Sequence, residues 1–542
     1  YHELTTEIEK IENEVVPMDT ASEQSKKRLR LHLKDELYAL LTADTPTMRN
    51  EQQPVDTHVQ VLKDRAEFLT RRLEKIKLDV TAAHSADSNE QAQERENDEV
   101  IDQIGNVTRD ELSLINQALD RVQGTWISRG NGQEHLTAIR SPVLTGAGGC
   151  GAFLIAEDGI PTRASGFCNA NQLFEINSEQ AGSIEVIRGP GSSWYGSNAV
   201  HGIINVISPM PAQTDNQVSL EAGPDSFLRG KFRLSSDNLL VYGNASHDGG
   251  YQQDSGYEQQ KLNLVHTSHL QSWDVITRMA LSNLNQNTAG YVQGKNAYKD
   301  DSLRRTNPNP EAYRNAKSAR LHSQFSQQWG QHRLSLTPYF RFQDMDFLQH
   351  YLPWQAIEEN NQIGAGVQTL YAWEQQDWRF QAGLDAEWTR GELTETQPEP
   401  FSPAIPQGKH YDYQVLARNL SPFMNLRWQA STNLSLSAGL RYDWQQYDYQ
   451  TRLPAGSACA DEVSLCRFIR PANSKVSYPH WSPSLGMVYQ LSPTQQLYSQ
   501  VSLGYRAPQA TELFRLQQGQ TLAQLDAEQL SSIELGWRGD YQ

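Results

Sequence analysis

The chain has 542 residues, 47 of them basic and 64 acidic, and its net charge of −17 argues against a broad nucleic-acid surface and predicts no direct nucleic-acid contact. Hydrophobic residues make up 38% of it and no long unbroken apolar run occurs, so a membrane helix is excluded. A membrane β-barrel is not excluded, because its strands are apolar only at every second position.

Residues 1–57 begin with Leu4, Ile8, Ile11 and Val15 at helical spacing, a short helix that Pro17 ends. In 58–123, Val59, Leu62, Ala66, Leu69, Leu73, Ile76 and Val80 alternate steps of three and four, which is a coiled-coil seam. Ile101, Ile104, Leu112, Ile115, Leu119 and Val122 resume that spacing after the polar stretch "HSADSNEQAQEREND". The pattern predicts an antiparallel α-helical hairpin with a charged tip.

The segment 124–214 contains "RGPGSSWYGSNAVHGIINVIS", whose glycines invite comparison with a phosphate cradle. No Lys-Ser/Thr pair follows Gly196, and Ile203, Ile204, Val206 and Ile207 read as a strand rather than a helix. The glycines therefore call for a reason other than phosphate.

In 215–542 the period becomes two. "WRFQAGLDAEW" places Trp378, Phe380, Ala382, Leu384, Ala386 and Trp388 on one face and Arg379, Gln381, Asp385 and Glu387 on the other. "NLSLSAGLRYDW", "RLSLTPYFRF", "QLYSQVSLGYR" and "SSIELGWRGDY" repeat the pattern. From Trp378 to Trp388 a strand covers roughly 33 Å. Tilted by about 45°, it matches the roughly 25 Å apolar band of a membrane barrel with aromatic girdles. Long polar loops (285–317, 445–479) alternate with short turns ("QAST", "LSPTQQ"), and about 14 strands are counted after residue 215.

Cys150 and Cys168, and Cys459 and Cys466, form two close pairs without C-x-x-C spacing. Two disulfides are expected in an oxidising compartment; the alternative is four thiols in a reducing one. No H-E-x-x-H, G-x-S-x-G or zinc pattern occurs. No catalytic residue, metal or cofactor is expected, and the chain is not expected to be an enzyme.

On these residues the run 124–214, above all IEVIRGPGSSWYGSNAVHGIINVIS with "AEDGIP", resembles the plug domain of TonB-dependent outer-membrane receptors; "GYRAPQATELF" agrees with their barrel. The resemblance covers about 114–542. It implies a mainly β fold: an outer-membrane β-barrel with an α/β plug domain ahead of it. Arg188, Gly189, Pro190, Gly191, Tyr195, Gly196 and Asn205, with the turn Asp158 and Gly159, become plug-motif residues. The glycines then allow tight turns and close backbone approach, Arg188 can pair with carboxylates of plug or wall, and Trp194 and Tyr195 are expected to pack in the plug. Implied function is energised uptake of a ferric siderophore, haem or cobalamin across the outer membrane of a Gram-negative bacterium. The implied partners are the TonB-ExbB-ExbD complex and outer-membrane lipid. Arg163, Phe167, Asn169 and Asn171 are the ligand-contact candidates at the plug apex.

The hairpin residues 71–122 resemble the coiled coil of the DksA/TraR family, which implies an RNA polymerase partner and a tip role for Asp87, although the family's C-x-x-C zinc finger is absent. A cytoplasmic polymerase factor and an exported barrel belong in different compartments. A chimera joined within "INQALDRVQGTW" is therefore expected. With Tyr1 first, "GDYQ" last and about 14 strands where about 22 are usual in the family, an incomplete barrel and a fragment are expected.

Overall fold

The computed structural model describes residues 122–539 apart from short breaks, the longest being 142–152, 168–171 and 521–524. The expected N-terminal helix and the helical hairpin with Asp87 lie outside the described residues. Among the described residues no helix is long and apolar enough to cross a membrane.

The plug begins with an antiparallel hairpin, β1 (Thr125–Arg129) and β2 (His135–Ile139). β3 (Phe153–Glu157), β4 (Ile160–Pro161), β5 (Ser183–Arg188) and β6 (Gly202–Ile207) then form a sheet in the order β4-β3-β6-β5. β3 and β6 are parallel neighbours and almost wholly buried, which is why their sequences, FLIAE and GIINVI, carry apolar runs instead of alternation. Ile139, Phe153, Ile155, Leu173, Ile176, Ile204 and Val206 make the plug core. The glycine-rich stretch holds one helical turn, α1 (Ser192–Tyr195), closed by Gly196 at φ 74° and ψ −146°. Only glycine is at ease there. A Cβ on Gly196 would lie 3.0 Å from Asp443 Oδ1 and 3.1 Å from Arg441 Nε of the surrounding wall. The glycine lets the plug backbone come up against the barrel.

The wall is one sheet of 14 antiparallel strands. They are β7 (Gln217–Ala222), β8 (Leu228–Ser235), β9 (Leu239–Asp248), β10 (Gly256–Leu270), β11 (Trp273–Asn287), β12 (Tyr313–Trp329), β13 (His332–Leu348), β14 (Ile357–Gln375), β15 (Trp378–Gln397), β16 (Gly408–Ser431), β17 (Leu434–Thr451), β20 (Ser474–Ser492), β21 (Gln495–Arg506) and β23 (Glu528–Gly539). Two-residue turns join strands at one end, as at 330–331 and 376–377; loops such as 288–312 and 452–473 lie at the other. Three short strands at that loop end, β18 (Gly456–Ser457), β19 (Phe468–Arg470) and β22 (Leu516–Gln517), form a small sheet of their own, and α2 (Ala510–Phe514) precedes the last of them.

The period-two reading holds: Leu384, Leu426, Leu485 and Val501 face outward in an exposed apolar band. Trp378 and Trp428 stack at the turn end of that band, with centroids 5.1 Å apart, and Trp388 and Trp481 mark its other edge. Inside, Lys261, Arg320, Arg341, Arg441 and Asp443 are buried against the plug. The strands outrun the expectation, however. β15 has 20 residues and β16 has 24, and both project past the Trp388 level. Beyond the band the outward face of β15 turns polar (Arg390, Glu392, Thr394, Thr396) while its inward face stays buried, so the outward apolar residues stop while backbone pairing continues.

Candidate functional site

At the plug turn, Asp158 and Gly159 both have positive φ, 52° and 82°. The Asp158 carboxylate accepts hydrogen bonds from the Ser208 backbone N–H (2.9 Å) and hydroxyl (2.7 Å), and Arg278 of the wall lies 3.5 Å away. Asn205 closes the same knot: its amide donates to Glu185 and its carbonyl accepts from the Gly159 N–H, both at 2.9 Å. These motif residues thus fix the exit from β6 against the β3–β4 turn.

The flank of the plug is tied to the wall by charge. Arg320 on β12 donates to Glu157 at 3.0 and 2.7 Å and to the Glu175 carbonyl at 3.0 Å. The Glu175 carboxylate binds Arg163 and Gln343. Burial pushes the Glu157 carboxyl up, with Arg320 opposing; burial draws the Arg163 guanidinium down, with Glu175 opposing. Arg341 donates to the Pro161 carbonyl at 2.7 Å, and Lys261 and Gln259 donate to the carbonyls of Ile176 and Phe174 at 2.9 and 2.8 Å. Arg163 is therefore no exposed apical contact. It is 6% exposed and serves the plug–wall junction, because an unpaired buried Glu175 would need a cation there.

Two stretches singled out in the sequence meet. Tyr505 donates its backbone N–H to Ser192 Oγ and accepts from the Asn198 N–H, both at 3.2 Å. The Ala507 N–H donates to Ser197 Oγ at 3.1 Å, and the Ala510 N–H donates to the Gly166 carbonyl at 2.9 Å. Arg441 donates to the Trp194 carbonyl at 3.2 Å while paired with Asp385 and Asp443. Tyr195 packs on the plug core as expected. Trp194 does not: it is 41% exposed and its ring lies 6.2 Å from Phe423 of the wall. On so short a helical turn, adjacent side chains point to different sides, and only one faces the plug. The Arg188 charge acts on Glu534 of β23, which also pairs with Arg140 of the plug at 3.2 Å.

Above the plug, at the loop end, an aromatic cluster gathers Tyr411, Tyr413, Tyr447, Tyr449, Phe468 and Phe514. Phe167 joins its edge, 6.5 Å from the Tyr447 ring. A cap of loops covers the cluster. Cys459 and Cys466 are disulfide-bonded across the tip of the β18–β19 hairpin. That hairpin pairs with β22 and meets the loop 398–407 where the Arg467 N–H donates to the Ala404 carbonyl at 3.1 Å. Beneath it Arg515 bridges Glu358 (2.9 Å) and Glu395. Burial pulls Arg515 down, but the two carboxylates raise it overall; burial lifts Glu395, but Arg515 and His410 hold it below the ordinary carboxyl range.

Arg515, Glu358, Glu395 and His410 went unnoticed in the sequence. The paired tyrosines Tyr411/Tyr413 and Tyr447/Tyr449, two apart on neighbouring strands, were the available signal for an inward aromatic cluster. Asn169, Asn171, Cys150 and Cys168 lie outside the described residues. No group of three metal-ligating side chains occurs among the described residues.

The family model described as TonB dependent receptor-like, beta-barrel, matches residues 214–542. The chain belongs to the TonB-dependent receptors. The TonB-dependent Receptor Plug Domain model matches 99–203, the DnaK suppressor protein-like, N-terminal domain model 58–122, and a model described as Protein of unknown function (DUF465) 1–41. The plug and DnaK-suppressor matches overlap over 99–122. Among solved structures, the unliganded ferric citrate transporter FecA shares 15% identity at a TM-score of 0.62, with 78% of this chain and 65% of that chain covered. The copper transporter OprC shares 14% at 0.62 (79% and 66%), and the ferric yersiniabactin uptake receptor FyuA from Yersinia pestis 17% at 0.56 (78% and 66%). This receptor chain thus spans just under two thirds of the length of these structures.

Proposed function

We propose that residues 124–542 act in the outer membrane of a Gram-negative bacterium as a receptor for energised uptake of a scarce, bulky nutrient, with a ferric chelate as the first candidate and haem or cobalamin next. The observation that carries this is a plug held in the wall by polar ties beneath a capped aromatic cluster. Aromatic rings suit a large, partly apolar chelate, and polar ties can be exchanged for water when the plug is pulled. The TonB-ExbB-ExbD complex is the proposed source of that pull. Phe167, at the boundary of plug and cluster, is the proposed contact that senses ligand; Asn169 and Asn171 extend it. The names of the ferric citrate and ferric yersiniabactin proteins support the iron-chelate class.

Titrating ferric citrate, haem and cyanocobalamin into the detergent-solubilised full chain, with quenching of tryptophan fluorescence as the signal, tests the reading. Saturable quenching by one compound, weakened by Phe167→Ala, is expected; no saturation by any of the three contradicts it.

A second reading attaches to 58–122, where the DnaK suppressor protein-like match includes Asp87. RNA polymerase binding through that segment is tested by co-purification, with Asp87→Ala as the control. The chimeric origin of the chain is likewise a proposal, supported by the overlap of two unrelated family matches at 99–122.

A further inference from the structure

His410 sits on the loop-end stretch of β16 and is 1% exposed. Both of its ring nitrogens face oxygens. Nδ1 lies 3.1 Å from Glu395 Oε1, and Nε2 lies 2.9 Å from the Pro406 carbonyl oxygen. A backbone carbonyl only accepts, and so does a carboxylate that is already paired with Arg515. Both contacts are hydrogen bonds when both nitrogens donate, as they do in the imidazolium form. The ring also stacks on Phe468, centroids 3.7 Å apart and planes 18° from parallel. One ring thus joins the wall through Glu395, the loop 398–407 through Pro406 and the disulfide-bonded hairpin through Phe468.

The other charges around it are accounted for. Arg470 of the hairpin donates to the His410 and Lys409 carbonyls at 2.8 and 2.7 Å. Lys409 is paired with Asp412 at 2.7 Å. Arg515 stands behind Glu395 and is shared with Glu358. Arg467 lies over the Trp354 ring at 4.5 Å.

We propose that His410 is a proton-operated latch: the cap is closed over the aromatic cluster when the ring is doubly protonated, and loosens when one proton leaves. Neutral imidazole has one lone pair, which would face either the carboxylate or the carbonyl, so one bond becomes a repulsion. The closed cap holds a proton that the open cap releases, and closure is favoured toward lower pH. For the receptor this means that access to the proposed ligand side varies with external pH, and that consequence rests on the uptake reading. The latch itself is measured without ligand, so its failure and the failure of the uptake reading are separate results.

The test uses the full chain in detergent with 15N-labelled histidine. The His410 ring resonances are assigned by their loss in His410→Phe, which keeps the stack and removes both donors. At pH 5.5 both ring nitrogens should show the protonated signature. Hydrogen exchange in peptides covering 398–407 and 456–470, corrected for the intrinsic pH effect, should be roughly tenfold slower at pH 5.5 than at pH 8.5, the size expected for losing one bond to a charged group. His410→Phe should abolish that difference while β13 keeps its protection. A neutral tautomer at pH 5.5, equal corrected exchange at the two pH values, or a pH dependence that survives in His410→Phe overturns the latch. Failure of the variant to fold leaves the wild-type exchange at the two pH values to decide.

Discussion

The plug flank and the loop-end cap are both packed against the same wall, but different forces hold them. The flank rests chiefly on buried charge and backbone carbonyls, Arg320 on Glu157, Arg163 on Glu175 and Arg341 on Pro161, beside one apolar seat where Phe174 meets Tyr257, Leu284 and Phe347 of the wall. The cap rests chiefly on stacked rings, Phe514 on Tyr449 at 4.3 Å and Phe468 on His410, with polar ties gathered around Arg515, His410 and Arg470. Water can replace a hydrogen bond with little net loss, whereas it cannot replace apolar burial. On the uptake reading proposed above, the part that is pulled is attached by exchangeable bonds and the part that excludes water is attached by packing.

Breaking one tie on each side sharpens this contrast. Glu175→Ala leaves Arg163 and Arg320 buried without one counter-charge and should cost about 4 kcal/mol. The loss should show as a lower urea midpoint for plug peptides in hydrogen exchange. Phe514→Ala, at a fully buried position, should cost about 3 kcal/mol and loosen the cap but not the plug. Gly196→Ala forces a side chain into a glycine-only conformation against Asp443 and Arg441; about 2 kcal/mol of plug stability should be lost.

Acid should act on the cap through Glu395. Its carboxyl is held below the ordinary glutamate value of 4.5, so its contribution is complete above that value and disappears as pH falls through the lowered one. Cap exchange should therefore rise again in strong acid, and Glu395→Gln should remove that rise. Arg140→Ala tests the weakest tie. Its pair with Glu534 is solvent-accessible, and the change should stay within about 0.5 kcal/mol in the same urea titration.

The wall was legible in the sequence because an apolar outer face and a polar interior impose a strict period of two between Trp378 and Trp388. The strand read from Trp378 to Trp388 in fact continues to Gln397, where outward apolar residues no longer mark it. The plug motif was legible through its glycines, which backbone geometry demands. Its partners were not. Arg163 looked like an exposed apical residue because nothing local reveals that Arg320 and Gln343, 145 and 168 positions beyond Glu175, will enclose it. His410 and Arg515 were invisible for the same reason: their meaning comes from strands and loops brought together only by the closed register of β14 to β16. Trp194 was misplaced because a single helical turn sends neighbouring side chains to different sides.

The difference between the two attachments is tested most directly by hydrogen exchange of the full chain in detergent across a urea series. Plug peptides within 153–167 and 172–207 should lose protection at lower urea than the wall strands β13 to β16, while the cap peptides follow the wall. Simultaneous loss in plug, cap and wall, or a cap that opens before the plug, would contradict a plug held by exchangeable polar ties.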